Sequence, residues 1–208
     1  MNNWKEVSLK SVSKKINYGY TASSTEENTG VKLLRITDIA SESIVWEKVP
    51  YCHISDSEYE KNKLENGDIV IARTGATVGY AKMIRNLQHK SVFASYLVRF
   101  KIKDGVDRNF VGSIIESDVF KNYIQLIAGG AAQPNANSKD LGSFKFFLPP
   151  HPEQKQIATI ISAYDELIES NNQANSLLRQ TRDLLLPRLI SGKLKVKGIK
   201  EAQLSATE

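Results

Sequence analysis

Residues 152–192 limit the possible folds of this chain more than any other segment. Apolar side chains recur there at intervals of three and four residues, from Ile157 to Leu189, which places them along one side of an α-helix. Pro152 fits the first turn of a helix, and Gly192 provides a natural end. At a rise of about 1.5 Å per residue, this helix would be about 60 Å long.

A helix of that length exceeds what one small domain can cover. A domain of about 150 residues has a radius of gyration of only about 15 Å, so part of the apolar stripe must meet another helix. The residues predicted to form this dimerisation surface are Ile157, Ile161, Tyr164, Ile168, Asn171, Asn175, Leu178 and Leu185. The asparagines within the stripe would fix the register of the pair, but they are equally compatible with a face exposed to water.

The residues before this helix have the pattern of a mixed α/β domain. They combine short apolar strands, turns and helices without a regular alternation of strand and helix, which indicates the α+β class. Predicted strands cover residues 32–37, 68–73, 77–84, 92–102 and 144–148, and predicted helices cover residues 55–64 and 107–127. The predicted organisation is therefore an α+β domain over residues 1–150, a long helix over 151–192 and a flexible basic tail over 193–208.

The composition excludes several classes of protein. Cys52 is the only cysteine, and together with three scattered histidines it makes neither an internal disulfide nor a recognisable zinc site. No segment reaches the ~20 apolar residues of a membrane span, and the first residues lack the apolar run of a signal peptide. We therefore expect a cytoplasmic protein that has no membrane partner and no structural metal.

The charges are distributed unevenly along the chain. Residues 41–72 hold three basic and seven acidic side chains, whereas residues 73–109 hold eight basic and two acidic ones. One cationic side would attract phosphate groups by Coulomb attraction and counterion release. The same pattern also arises from the simple solvation of exposed strands, so both interpretations stay open.

Motifs for catalysis are missing from the sequence. Residues 75–79 contain two glycines but lack the strand–loop–helix context of a nucleotide-binding loop. Asp68 has no second acid and lysine at the spacing that a metal-dependent nuclease needs. None of the histidines lies beside a nucleophile elbow. The sequence therefore predicts a protein that is not an enzyme and binds no cofactor.

Several stretches resemble the specificity subunits of Type I restriction–modification systems. They are LLRITDI at residues 33–39, LENGDIVIARTGATVG at 64–79, GGAAQPN at 129–135, LPPHPEQKQIA at 148–158 and LLPRLISGKL at 185–194. Each stretch is weak evidence by itself, but their order along the chain is specific. The resemblance covers residues 4–194.

The resemblance implies a non-catalytic DNA-reading subunit. Members of this family carry target-recognition domains that read double-stranded DNA and long helices that set the spacing between those domains. They bind modification subunits that methylate adenine, and through these they join restriction subunits that translocate DNA and cut it. This chain departs from the family in having a single domain and a single helix, where typical members have two of each.

A second copy of the chain would supply what is missing. Two antiparallel helices would hold two identical domains apart on a two-fold axis, and such domains read inverted half-sites separated by bases that they do not touch. The alternative partner is the helix of another specificity subunit, which would give an asymmetric site. The alternative function is a helical scaffold of such a complex that reads no DNA.

DNA contacts are predicted from side chains that bind phosphates or base edges. The predicted residues are Lys14, Lys15, Tyr18, Tyr20, Ser24, Arg35, Arg73, Thr74, Lys82, Arg85, Gln133, Asn135 and Asn137. Lys90 and Arg99 are further candidates for phosphate contacts. Arg73 follows a strand at a tight turn, where it could reach guanine or phosphate or pair with Asp38. The asparagines could contact adenine or only form turns.

Overall fold

A computed structural model describes residues 3–41, 43–128 and 135–194 of the chain. The strands are β1 (Lys5–Ser8), β2 (Ser13–Tyr18), β3 (Lys32–Leu34), β4 (Ile69–Ala72), β5 (Ala81–Met83), β6 (Ser91–Phe93), β7 (Leu97–Ile102) and β8 (Lys145–Leu148). The α-helices are α1 (Leu9–Val12), α2 (Ile36–Ile39), α3 (Asp56–Asn62), α4 (Arg108–Ile115), α5 (Asp118–Ala128), α6 (Ser138–Gly142) and α7 (His151–Ile190). The mixture of strands and helices without regular alternation agrees with the predicted α+β class.

The centre of the domain is an antiparallel sheet with the strand order β2-β7-β4-β5. The four residues of β4 are all fully buried, because the sheet has a hydrophobic core on each face. Ile69 and Ile71 enter one core, and Val70 and Ala72 enter the other. This double burial explains why the strand is an unbroken apolar run, as predicted for a buried strand.

Helices cover the first face of this sheet. Helices α4 and α5 bring Phe110, Val111 and Phe120 into a core that also receives Phe146 from β8. The second face is covered by the short parallel pair of β3 and β6 together with α2. The strands β1 and β8 form a separate antiparallel pair, which joins the two ends of the domain sequence.

The predicted strand over residues 92–102 is wrong as a single element. The structure divides it into β6 and β7, which belong to different sheets, with a turn at residues 94–96 between them. The backbone of Gly19 passes this turn so closely that a Cβ atom there would lie 2.2 Å from the Phe93 carbonyl oxygen. The turn contains neither glycine nor proline, so the apolar run gave no local sign of it.

Two other predicted strands are shorter than expected. The predicted strand at 77–84 is reduced to β5, because Gly75 and Gly79 adopt positive φ angles of 75° and 86° that break the extended chain. The predicted strand at 32–37 stops at Leu34 and continues as α2. The elements α1, β1, β2 and α6 were not predicted, because they are short and follow no clear apolar period.

Helix α7 begins with residues that pack against the domain. The chain divides into two compact units, residues 1–162 and 163–208, so the first turns of α7 belong to the first unit. Within these turns Gln154 and Ala158 are buried. The helix ends at Ile190, and Gly192 follows with a φ angle of 68°. The helix therefore covers residues 151–190, where the sequence predicted 151–192, and most of the predicted tail lies outside the described residues.

Candidate nucleic-acid interface

The ends of two neighbouring segments meet at one end of the central sheet. In the register of the sheet, Tyr18 at the end of β2 lies opposite Val98, and Ala72 at the end of β4 lies opposite Leu97. Both strands run antiparallel to β7, so their carboxyl ends share the end of the sheet at which β7 begins. Tyr18 and Arg73, which follows Ala72, are therefore neighbours.

The guanidinium of Arg73 lies over the ring of Tyr18, with 5.0 Å between its central carbon and the ring centroid. At this distance the cation is attracted to the face of the ring. The Nε of Arg73 is buried and has no hydrogen-bond partner within the part of the chain that the structure describes. The predicted alternative, a pair between Arg73 and Asp38, is wrong because Asp38 binds Arg35 instead.

Tyr18 is also held by the segment that precedes α6. The backbone N–H of Ser138 donates to the Tyr18 hydroxyl at 3.1 Å, and that hydroxyl donates to Ser138 Oγ at 3.2 Å. These contacts with the Ser138 side chain and backbone lower the pKa of the Tyr18 phenol from its ordinary value. The hydroxyl end of the Tyr18 ring, which lies beneath Arg73, is therefore held in place by Ser138.

A second connection brings the two predicted polar segments together. Thr74 forms an antiparallel bridge with Asn135, and the N–H of Ala136 donates to the Arg73 carbonyl at 2.8 Å. Asn135 is exposed. Asn137 caps α6, because its side-chain oxygen accepts from the N–H groups of Lys139 and Asp140. Gln133 lies outside the described residues.

Tyr20 and Tyr96 extend the same end of the sheet. The Tyr20 carbonyl accepts a hydrogen bond from Ser95 N–H at 3.0 Å, and the Tyr96 carbonyl accepts one from Arg73 N–H at 3.1 Å. The side chain of Tyr96 is 59% exposed. Sequence reasoning missed Tyr96, because it seemed to continue a strand. We call this set of residues the sheet-end surface: Tyr18, Tyr20, Arg73, Thr74, Tyr96 and Asn135.

Other predicted DNA contacts lie away from this surface. Lys14 and Lys15 occupy the opposite end of β2, where Ser13 lies opposite Ile102 and Lys14 forms a 3.0 Å ion pair with Asp104. Lys82 lies on β5, at the far edge of the sheet. Arg85 forms hydrogen bonds of 2.9 and 2.8 Å with the two carboxylate oxygens of Glu116.

Two arginines have partners within the domain. Arg35 is half-buried and binds both carboxylate oxygens of Asp38, which raises the pKa of its guanidinium. Arg99, a predicted phosphate contact, is 1% exposed and lies beside Asp68. That prediction is wrong, because a buried guanidinium cannot reach a phosphate. Ser24 is exposed beyond the end of β2, and Lys90 lies over the ring of Tyr59.

The predicted dimerisation residues share one side of α7 but differ in exposure. Ile157 packs partly against the domain core, and Ile161 is half-buried. Tyr164, Ile168 and Leu178 are 65%, 55% and 66% exposed, respectively. Leu185 is 38% exposed, and Asn171 and Asn175 are exposed. Their pairing therefore stays a prediction.

The described residues contain no cluster of three or more histidine, cysteine or acidic side chains that could hold a metal ion. Among the helices that the structure describes, none has both the length and the apolar character needed to cross a membrane. The sheet-end surface presents aromatic rings, the Arg73 guanidinium and the exposed amide of Asn135.

The chain thus combines an α+β domain with a long helix that follows it in sequence. A family model described as Type I restriction modification DNA specificity domain matches residues 1–180. The chain belongs to this family, as its sequence resemblance predicted.

Known proteins of similar sequence and fold carry the same kind of name. The MjaVIII specificity subunit of Methanocaldococcus jannaschii is 26% identical over 201 residues, covering 94% of this chain and 47% of that protein. The EcoKI specificity subunit of Escherichia coli strain K12 is 23% identical over 202 residues, covering 92% and 43%. The crystal structure of a Type I restriction–modification S subunit from M. genitalium superposes with a TM-score of 0.68 at 18% identity, covering 91% and 46%.

Both curated relatives are named as specificity subunits, in agreement with the family model that matches this chain. The chain spans about half the length of the curated relatives that it matches. Its own DNA target and its own partners are therefore matters of proposal.

Proposed function

We propose that this chain reads double-stranded DNA through the sheet-end surface and directs partner subunits to the site that it reads. The observation that carries the proposal is the position of Arg73. Its guanidinium lies against Tyr18 at a sheet end that is partly exposed, and its Nε has no partner among the described residues. Arg73 as a residue is only half-buried, and its guanidinium has further N–H donors besides the buried Nε with which to bind an acceptor on a ligand.

The ring of Tyr18 prepares Arg73 for a planar acceptor. A guanidinium that is already oriented by an aromatic face loses less entropy when it binds, and its fork matches the O6 and N7 atoms of guanine or two phosphate oxygens. The exposed amide of Asn135 is suited to the N6 and N7 atoms of adenine. The exposed ring of Tyr96 offers an apolar face beside these polar groups.

The predicted DNA-contact residues outside the sheet-end surface have a secondary part in this proposal. Lys14, Lys15, Lys82 and Arg85 lie away from the sheet-end surface, and Lys14 and Arg85 have acidic partners, so their contribution would be long-range attraction for phosphates that weakens with salt. Arg35 directly follows β3, and Ser24 lies in the segment between β2 and β3. We assign sequence reading to the sheet-end surface itself, and to these outer residues at most a contribution to register on the duplex.

The proposed partners follow from the family. They are DNA-adenine methyltransferase subunits, a restriction and translocase subunit, and a second copy of the chain or another specificity subunit. Paired through α7, two copies would present identical sheet-end surfaces related by a two-fold axis, and the target would be an inverted repeat interrupted by unread bases. The chain would work in the cytoplasm, where such a complex meets the genome.

The decisive experiment expresses the chain with its modification subunit and maps methylated adenines across the genome. The proposal predicts methylation in one bipartite inverted-repeat motif, and no methylation when either protein is omitted. An asymmetric motif would indicate pairing with another specificity subunit.

A matched binding measurement separates DNA reading from scaffolding. The proposal predicts that the complex binds duplex DNA with an affinity that falls steeply with salt. If the chain assembles with the modification subunit but adds no salt-sensitive DNA affinity and no methylation motif, the helical scaffold is the correct function and the DNA-reading proposal fails.

A further inference from the structure

We propose that α7 pairs antiparallel with α7 of a second copy in one register, with the two-fold axis beside Asn172 and at the level of Gln173 along the helix. This inference rests on the proposed self-pairing and adds the register and the side chains that select it. The portion of α7 that carries it is residues 163–190, within the second compact unit.

One row of residues on this part of the helix repeats every seven positions. Its members, which we call the seam, are Tyr164, Ile168, Asn171, Asn175, Leu178 and Arg182. Alternating steps of four and three residues keep such a row on one side of a helix that supercoils around a partner. The apolar members of the seam are more than half exposed, so the single chain leaves them in contact with water.

The seam is symmetric about Gln173. Tyr164 and Arg182 are equally distant from Gln173 along the sequence. The same holds for Ile168 with Leu178, and for Asn171 with Asn175. An antiparallel pair centred on Gln173 therefore places each seam residue opposite its counterpart in the second copy: amide against amide at the centre, aliphatic against aliphatic on each side, and Arg182 over Tyr164 beyond them.

Other registers lose this match. Sliding one helix by a heptad would place Asn175 opposite Leu178 and Asn171 opposite Arg182. An amide buried against an aliphatic side chain lacks a hydrogen-bond partner, which is costly in a helix seam. Only the register centred on Gln173 pairs both asparagines of the seam with asparagines.

The charges of the helix favour the same orientation. Asp165, Glu166 and Glu169 lie before Gln173, whereas Arg179, Arg182 and Arg188 lie after it, together with one acid, Asp183. An antiparallel pair brings the acidic half of one helix beside the basic half of the other, whereas a parallel pair brings like charges together.

The residues that flank the seam give this preference a specific contact. Asp165 and Arg179 occupy the same flank, and they are equally distant from Asn172. In an antiparallel pair, residues on that flank face their counterparts across the seam. Asp165 of each copy then lies beside Arg179 of the other, and Asn172 lies beside its own copy at the axis.

A charge exchange tests the contact. Asp165→Arg and Arg179→Asp should each weaken self-association about tenfold or more, because each places like charges together twice per dimer. A mixture of the two variants should form a heterodimer with two restored pairs, which separates the cross-chain effect from any effect of Asp165 within its own chain. Glu166→Arg is the control, since it makes the same charge change on the outer side of the helix and should leave the dissociation constant unchanged.

A crosslink tests the register. With a short bismaleimide crosslinker Asn172→Cys should link the two copies, whereas Leu178→Cys should not, because its copy would lie about 15 Å away along the axis. Cys52 is buried and stays in both variants. A crosslink through position 178 without one through 172 would show a parallel pair and overturn the proposal.

The measurements use sedimentation equilibrium without DNA, so they are independent of DNA reading. A monomer at micromolar concentration, or a dimer that neither the charge variants nor the crosslinks affect, would overturn the proposed register. Methylation in an asymmetric motif alongside a correctly crosslinked dimer would instead count against the proposed function.

Discussion

The side-chain oxygen of Gln154 accepts a hydrogen bond from the backbone N–H of Asp107 at 2.8 Å. The amide nitrogen of Gln154 donates to the carbonyl of Pro149 at 2.7 Å. Gln154 is 3% exposed, so one buried amide joins the first turn of α7 to the loop that begins α4. Asp107 in turn caps α4 by accepting from Phe110 N–H.

Replacement of this amide should loosen the start of the helix. Gln154→Ala leaves the Asp107 N–H and the Pro149 carbonyl without partners, and we expect the free energy of unfolding to fall by about 2 kcal/mol. Urea unfolding followed by circular dichroism measures the change. Gln156→Ala is the control, because Gln156 is exposed on the same helix. Equal stability of the two variants would show that the buried amide contributes nothing.

Arg73 should determine DNA affinity without supporting the fold. Arg73→Ala is expected to weaken binding to the DNA motif found by methylation mapping about tenfold or more, because one bidentate contact to guanine contributes about 1–3 kcal/mol. Arg73→Lys should not restore the affinity, since an ammonium lacks the planar fork. Fluorescence anisotropy with the DNA target provides the measurement.

The control for that prediction is Arg108→Ala. Arg108 follows β7 at the opposite end of the central sheet and forms a 3.5 Å ion pair with Asp104. Equal losses of affinity in the two variants would indicate a general effect of positive charge and no reading by the sheet-end surface.

The buried pair of Asp68 and Arg99 should be sensitive to the loss of either charge. Burial raises the pKa of Asp68 and lowers that of Arg99, although the opposite charge of each partner offsets part of the effect. The Arg99 guanidinium also donates to the carbonyls of Lys61 and Lys63. Asp68→Asn leaves this cation buried without a counter-charge, and we expect stability to fall by about 3 kcal/mol in urea unfolding. If Asp68→Asn lowers the free energy of unfolding by no more than Glu65→Gln does, the buried pair does not have the predicted importance.

The ion pair of Glu65 with Lys101 should give a small pH-dependent contribution. Lys101 donates to Glu65 at 2.9 Å, and this hydrogen bond lowers the pKa of the carboxyl. The unfolded chain therefore takes up the proton at higher pH than the folded protein does. The stabilisation is present above the unfolded pKa and is lost as the pH falls through the folded pKa.

Glu65→Gln removes this contribution. The difference in unfolding free energy between the native chain and the variant should stay below about 1 kcal/mol near neutral pH, because the carboxylate is largely exposed. It should shrink toward zero in acid. Urea titrations over that pH range measure it, and a difference that grows as the pH falls would contradict the assigned direction of the pKa shift.

Local patterns in the sequence were sufficient for the elements that local chemistry decides. The sequence alone predicted the fully apolar run of β4, the Ser55 cap of α3 and the Asp107 cap of α4. It also predicted the long helix α7, which has forty residues, because a helical period repeated over many turns is a strong signal. The order of the short motifs along the chain was enough to identify the family.

The tertiary structure decided what depends on contacts between distant residues. The run from Val92 to Ile102 divides into two strands because the backbone at residues 93–95 forms hydrogen bonds with Tyr20 and Leu34. Arg99 is buried because Asp68, Asn17 and the carbonyls of Lys61 and Lys63 surround it, while Arg73 reaches the sheet end. Arg73 follows an apolar run and Arg99 lies within one, and the two runs are similar in composition. The sequence neighbours of an arginine therefore do not show which distant residues will contact it in the folded protein.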